Sequence, residues 1–178
     1  KKSITSIGSS VTFNPTVILG RNYRVVAYAD FVGEKADLTS IAIENGINNE
    51  KKDAYFANPG NVVFTENDLA EQVTLTRPFG KLRLVATDYD KLCDLGLDVK
   101  SVKVTYGTTV VMEETFDAFN QAFEGDGDNV WSADKATYAE AATNELTVFT
   151  DYLPAGNGET MYPFTIEVTY NDNKTVYT

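Results

Sequence analysis

Histidine is absent from the 178 residues, which removes the commonest general acid/base and the commonest zinc or copper ligand. Most hydrolytic mechanisms are hard to build without it. Cys93 is the only cysteine, so neither an internal disulfide nor a thiolate cluster can form, and the small disulfide-stapled class falls away. There is no apolar run of about 18 residues or more, and Lys1-Lys2-Ser3-Ile4 lacks an apolar h-region. The sequence is therefore expected to be soluble, to insert no segment directly into a membrane and to show no targeting segment. Basic residues are also scarce: 15 Lys+Arg stand against 26 Asp+Glu, a net charge of −11. Such a surface repels phosphate backbones and anionic headgroups, which excludes nucleic acid as a partner.

With 43% hydrophobic residues and 12% aromatics, the chain has the material for a sizeable core, as one domain or two small ones packed together. The apolar residues mostly recur with period two, the pattern of half-buried strands. Val102, Val104 and Tyr106 alternate with Ser101, Lys103 and Thr105, and Phe164, Ile166, Val168 and Tyr170 with Thr165, Glu167 and Thr169. Asn171-Asp172-Asn173 then turns the chain into Lys174-Thr175-Val176-Tyr177, a hairpin with a short second strand. Further β-branched or aromatic runs lie at 21–31, 61–65, 73–76, 80–87, 110–112 and 145–150. Their spacing suits antiparallel β-sandwiches rather than βαβ units.

Helical signals are few. Asp88 caps a stretch in which Leu92 and Leu95 share a face and Gly96 is the stop. Residues 49–56 and 134–142 each read as a short helix or an irregular connection. Loops are expected at Asn58-Pro59-Gly60-Asn61, at 154–158 and at 124–129. A division into domains 1–77 and 78–178 is one reading, and a single sandwich of about ten short strands is the other.

No motif carries chemistry. Gly-x-Ser-x-Gly, Ser-x-x-Lys and Walker A patterns are all absent, so no catalytic residue is named and no enzyme is expected. Glu113 and Glu114 are adjacent on a presumed strand and point to opposite faces, which prevents them from acting as a pair. Asp126 and Asp128 offer oxygens for a cation, but position 5 of an EF-hand count from Asp126 is Val130, and a glycine-rich turn explains the loop as well. Neither a metal nor a cofactor is expected. Cys93 lies between Asp90 and Asp94, whose charge disfavours a thiolate, so a buried inert thiol is expected. Trp131 with Phe116, Phe119, Phe123 and Tyr138 offers an aromatic platform for a sugar, against core or loop anchors as the plainer reading. Asn173-Lys174-Thr175 matches a glycosylation pattern too short to carry weight.

Three stretches carry a resemblance: Tyr23–Phe31, then Lys52-Asp53-Ala54-Tyr55-Phe56, then Val73–Arg83 with Arg77-Pro78-Phe79-Gly80-Lys81 at its centre. They resemble the fimbrillin-like proteins of Bacteroidales, pilus subunits and relatives of unassigned function, in which an Arg-Pro-Phe-Ala-like turn links the two parts. Here Gly80 replaces the usual alanine. Phe149-Thr150-Asp151-Tyr152-Leu153-Pro154 and 164–170 are similar to the second half of those proteins. The resemblance implies a transthyretin-like β-sandwich in two stacked parts, exported as a lipoprotein to the outer-membrane surface or a fimbria. Its partners would be neighbouring pilin subunits or a host or bacterial surface ligand. Assembly in that family is β-strand addition after a protease removes an N-terminal strand. The sequence from Lys1 to Thr178 contains neither a lipid-accepting cysteine at its start nor a strand after Tyr177, so it does not identify the anchor and donor segments. A carbohydrate-binding or accessory surface lipoprotein using Trp131 is the alternative.

Overall fold

A computed structural model describes residues 10–33, 35, 37–67, 70–97, 99–107, 114–125, 130–134, 138–140, 145–154, 163–172 and 175–177. Among the described residues the protein is mostly β, with several small antiparallel sheets and one short helix. Two long strands near the N-terminus, β1 (Asn22–Asp30) and β3 (Ala54–Val63), pair with each other. The short β2 (Ile41–Ala42) joins β6 (Thr115–Asp117), which pairs with β7 (Ala122–Glu124). A third sheet runs β4 (Phe79–Ala86), β10 (Glu145–Pro154), β9 (Tyr138–Glu140). The fourth runs β12 (Thr175–Tyr177), β11 (Phe164–Tyr170), β5 (Val99–Tyr106), β8 (Val130–Asp134).

Period two is realised as read in β5, where Val102, Val104 and Tyr106 are buried while Ser101, Lys103 and Thr105 are only half-buried. The hairpin through Asn171 and Asp172 forms too, with Val168 opposite Val176. Side chains of β5 and β11 meet those of β10 in one mainly aliphatic cluster: Val99, Val102, Val104, Ile166 and Val168 against Leu146, Val148, Phe149 and Leu153. In β10 the alternation slips at Val148, because a bulge there sets Thr147 opposite Val85 and Phe149 opposite Leu84. Val148 and Phe149 are consequently both buried although adjacent.

A second core is aromatic. Phe116, 1% exposed, has ring centroids of Phe123, Phe56 and Tyr28 at 4.8, 5.1 and 6.5 Å, and Val26, Ile41 and Ala118 pack with it. Its supporting hairpin closes through Asp117, whose Oδ1 accepts the Phe119 and Asn120 N–H groups while Oδ2 accepts from the Asn120 amide. This is Asx-turn chemistry. Phe79 and Tyr152 extend the aromatic packing through Phe123.

Several expectations are corrected. Asn58-Pro59-Gly60-Asn61 is not a connecting loop but part of β3, where Asn58 and Pro59 together face Val26 as a bulge. Proline is tolerated there because a bulge needs no ladder N–H. Asn58 Oδ1 accepts from Gly60 N, and its amide reaches the carbonyls of Ala118 and Phe119, so the side chain ties the bulge to the β6–β7 hairpin. Gly60 takes φ +87, which suits glycine alone. Residues 138–140 of the 134–142 stretch are strand β9 rather than helix, held by pairing with β10. Of 49–56 only Glu50–Lys52 is helical, a single 3-10 turn capped by Asn49. From the 73–76 run, Thr76 makes one isolated bridge to Phe56, and 110–112 lies outside the described residues.

The helix α1 spans Tyr89–Asp94 and stops where expected: Gly96 N donates to Cys93 O and Leu97 N to Leu92 O, a Schellman close with Gly96 at φ +67. Asp88 makes no side-chain cap bond, and no residue of the helix is buried. Leu95 is 72% exposed and Cys93 is an exposed free thiol, contrary to the expectation of a core cysteine. Only Tyr89 of this helix packs on the aliphatic cluster.

Candidate functional site

Three separate stretches, 48–55, 77–81 and 150–152, converge on one polar junction between the two cores. Asn48, held at φ +58, pairs backbone and side chain with Thr150: its N donates to Thr150 O at 2.8 Å and its Oδ1 accepts Thr150 N at 2.8 Å. The 3-10 turn that follows places Lys52 beneath β10. There its Nζ lies 2.5 Å from Asp151 Oδ1, with side chains 3% and 0% exposed. Asp151 accepts two more donors, the Tyr106 hydroxyl on Oδ2 at 2.6 Å and its neighbour's Tyr152 N–H on Oδ1 at 2.8 Å. Burial, reinforced by the Asp151 charge and hydrogen bond, pushes the Tyr106 phenol far above its ordinary range, so the hydroxyl keeps its proton and donates.

Beside this buried pair, Arg77 forks onto Asp53, Nε to Oδ1 at 2.7 Å and Nη2 to Oδ2 at 2.9 Å. The guanidinium sits 4.8 Å from the Tyr55 ring centroid, and the Asp53 bond raises its pKa further. Planar, bidentate and stacked, this is a place where lysine would not substitute. At the outer rim Lys81 reaches both Glu50 oxygens at 3.2 Å and lies 5.0 Å from the Tyr152 ring. The Tyr152 hydroxyl donates to Glu50 Oε2. Burial, then the Glu50 bond, raises the Tyr152 pKa, with Lys81 opposing. The Tyr152 bond, then that to Glu50, raises Lys81 against its own desolvation.

The matching family model describes a family of unknown function and covers residues 1–178. The chain belongs to DUF6562. No curated protein and no solved structure matches it.

In this DUF6562 chain the sequence-read aromatic candidates meet in part, Phe116 with Phe123. Asp126 and Asp128 lie outside the described residues, as do Glu113, Asn173 and Lys174. Of the aromatic group, Phe116 is core, Phe123 packs half-buried against Phe116 and Phe79, and Phe119 has the Arg24 guanidinium 5.2 Å from its ring centre. Trp131 and Tyr138 belong to strands of different sheets, Trp131 opposite Val104 and Tyr138 opposite Thr147. An open depression of about 370 Å³ beside the β3 bulge, lined by Phe56, Asn58, Gln72, Thr74, Thr76 and Gln121 among others, contains no ionisable side chain. Among the described residues no group of His, Cys, Asp and Glu is arranged to hold a metal, and no helix is long and apolar enough to cross a membrane.

The residues that do converge are legible in the sequence only as segments. Nothing local says that Lys52 and Asp151, 99 positions apart, meet.

Proposed function

We propose that this protein is a non-enzymatic, cell-surface structural or adhesion protein of the fimbrillin-like type, built of stacked β-sandwich layers and working by β-strand addition. What supports the reading is the isolation of β1. Among the described residues β3 is its sole strand partner, and exposed apolar side chains crowd the same end of the chain. Phe31 and Ile18 are 73% and 66% exposed, and Val63, Phe13, Leu19 and Val11 are exposed as well. An open strand edge with free backbone donors and acceptors is a template for a further strand, and apolar side chains at its margin supply the pockets or plugs. The junction of Lys52, Asp151, Arg77 and Asp53 suits such a role by tying the strand-accepting part to the aliphatic core.

The test is limited trypsin treatment of the full-length protein, followed by light scattering and SDS gels. Defined trimming followed by growth into SDS-resistant ladders is the expected outcome. Phe31→Lys combined with Val63→Lys should suppress growth while leaving the monomer folded, since charge at a strand edge blocks pairing. A trimmed product that stays monomeric at all concentrations overturns strand addition and leaves surface-ligand or glycan binding as the reading to pursue.

A further inference from the structure

We infer that Lys52 and Asp151 join covalently, the Lys52 amine condensing with the Asp151 carboxyl to form an intramolecular amide cross-link. The proposal stands on the geometry of the junction and does not depend on strand addition. Nζ and Oδ1 are in direct contact at 2.5 Å. Cγ lies one bond beyond Oδ1, so the nitrogen sits near the attack separation of about 3–3.5 Å. Both side chains are sealed from water, at 3% and 0% exposure, and a dry site favours loss of the two charges as one neutral amide. Water is also the product, so its exclusion protects the bond from hydrolysis.

The donors around Asp151 are arranged for the reaction. A proton passes from Nζ to Oδ1 along the hydrogen bond, leaving an amine and a carboxylic acid. The nitrogen lone pair attacks Cγ, forming the C–N bond, and the Cγ=Oδ2 electron pair moves onto Oδ2. There the Tyr106 hydroxyl, 2.6 Å away, stabilises the negative charge as an oxyanion-hole donor does. Oδ1, already a hydroxyl and held by the Tyr152 N–H at 2.8 Å, receives the second nitrogen proton directly. The Cγ–Oδ1 bond then breaks as the Oδ2 pair reforms the carbonyl, and water leaves. One ammonium and one carboxylate become one amide and one water, with no change of oxidation state and no co-reactant.

The experiment is intact-mass measurement of the denatured wild-type chain, followed by digestion and tandem mass spectrometry. The expected result is a mass lower than the sequence mass by one water, with the Lys52 and Asp151 peptides recovered as a linked pair. Lys52→Met should restore the full mass expected for its sequence and slow migration on a denaturing gel, because the closed loop of wild type is more compact. Tyr106→Phe should lower the rate of linkage by about 10²-fold, the ordinary worth of one oxyanion donor. Full sequence mass in wild type after prolonged incubation at neutral pH overturns the proposal. So does a missing water located at Asp126-Gly127 as a cyclic imide instead of between the two peptides. The wild-type mass and its linked peptides decide the matter even if Lys52→Met does not fold.

Discussion

The aliphatic cluster and the aromatic cluster of this chain are built on different plans. Strands β5, β10 and β11 have 8, 10 and 7 residues, and their core is a file of small branched side chains, each contributing modestly. Strands β2, β6 and β7 have only 2, 3 and 3 residues, too few ladder bonds to stand alone, so that region depends on Phe116 and the rings around it. The difference teaches that stability there is concentrated where it is distributed elsewhere. Phe116→Ala should accordingly cost about 3–5 kcal/mol, against about 2 kcal/mol for Val104→Ala, although Val104 is 0% exposed. Urea denaturation read by both fluorescence and circular dichroism checks the ratio. A smaller loss at Phe116 than at Val104 would break the comparison. Because β2 pairs with β6 and Lys52 with Asp151 across the middle of the sequence, both variants should unfold in one transition by both probes.

Each region also contains a tyrosine next to a carboxylate, Tyr28 beside Asp30 and Tyr106 beside Asp151, and burial raises both phenols well above their ordinary value before the carboxylate adds to it. The unfolded chain therefore releases these protons first, near pH 10. Stability is complete below that pH and falls as pH rises above it, by about 1.4 kcal/mol per pH unit for a fully buried phenol. Alkaline denaturation of Tyr106→Phe should show a slope flatter by about that amount. Tyr28→Phe should flatten it less, since Tyr28 is only half-buried and Lys35, 3.0 Å from Asp30, offsets the charge of its carboxylate neighbour. Equal slopes in wild type and Tyr106→Phe would show that the phenol is not the group that resists deprotonation.

Between the regions, the Arg77–Asp53 fork is partly open to solvent, with the Arg77 side chain 43% exposed. Arg77→Lys keeps the charge but loses the second hydrogen bond and the stacking on Tyr55, and should cost about 1 kcal/mol. A double-mutant cycle with Asp53→Asn measures how much belongs to the pair. A coupling near zero would mean that Phe79, 5% exposed, and not the charge pair holds this turn.

The two plans differ equally in how far they can be read from sequence. Long alternating strands announce themselves: Val102, Val104, Tyr106, Ile166 and Val168 are buried as their period demands. The aromatic region has no such period. Its hairpin is too short to alternate, and its signal is the turn chemistry of Asp117 and Asn120. Pro59 reads as a break because local rules assign proline to loops, whereas here the strand bulges and the Asn58 side chain accepts the Gly60 N–H and reaches Phe119 O. Residues 138–140 look helical in composition, and tertiary pairing with β10 overrides that propensity. The junction is least legible of all, since a lysine and an aspartate that meet across 99 positions leave no local trace.

Cys93 marks the smallest expected effect and the limit of both plans. Flanking aspartates and a leucine-bearing helix suggest a thiol turned inward, yet a helix this short, anchored mainly by Tyr89, has too little apolar surface to bury a second face. Its stop is set by the Gly96 close and not by packing, so Leu95 and Cys93 are left in water. Cys93→Ser should thus change stability by less than about 0.5 kcal/mol. In the native protein the thiol should react with a small disulfide reagent within a few-fold of its rate in the unfolded chain, the local charge slowing an anionic reagent more than a neutral one. Protection by more than about tenfold against a neutral reagent would mean that something covers α1, and the aliphatic core would then extend over the helix.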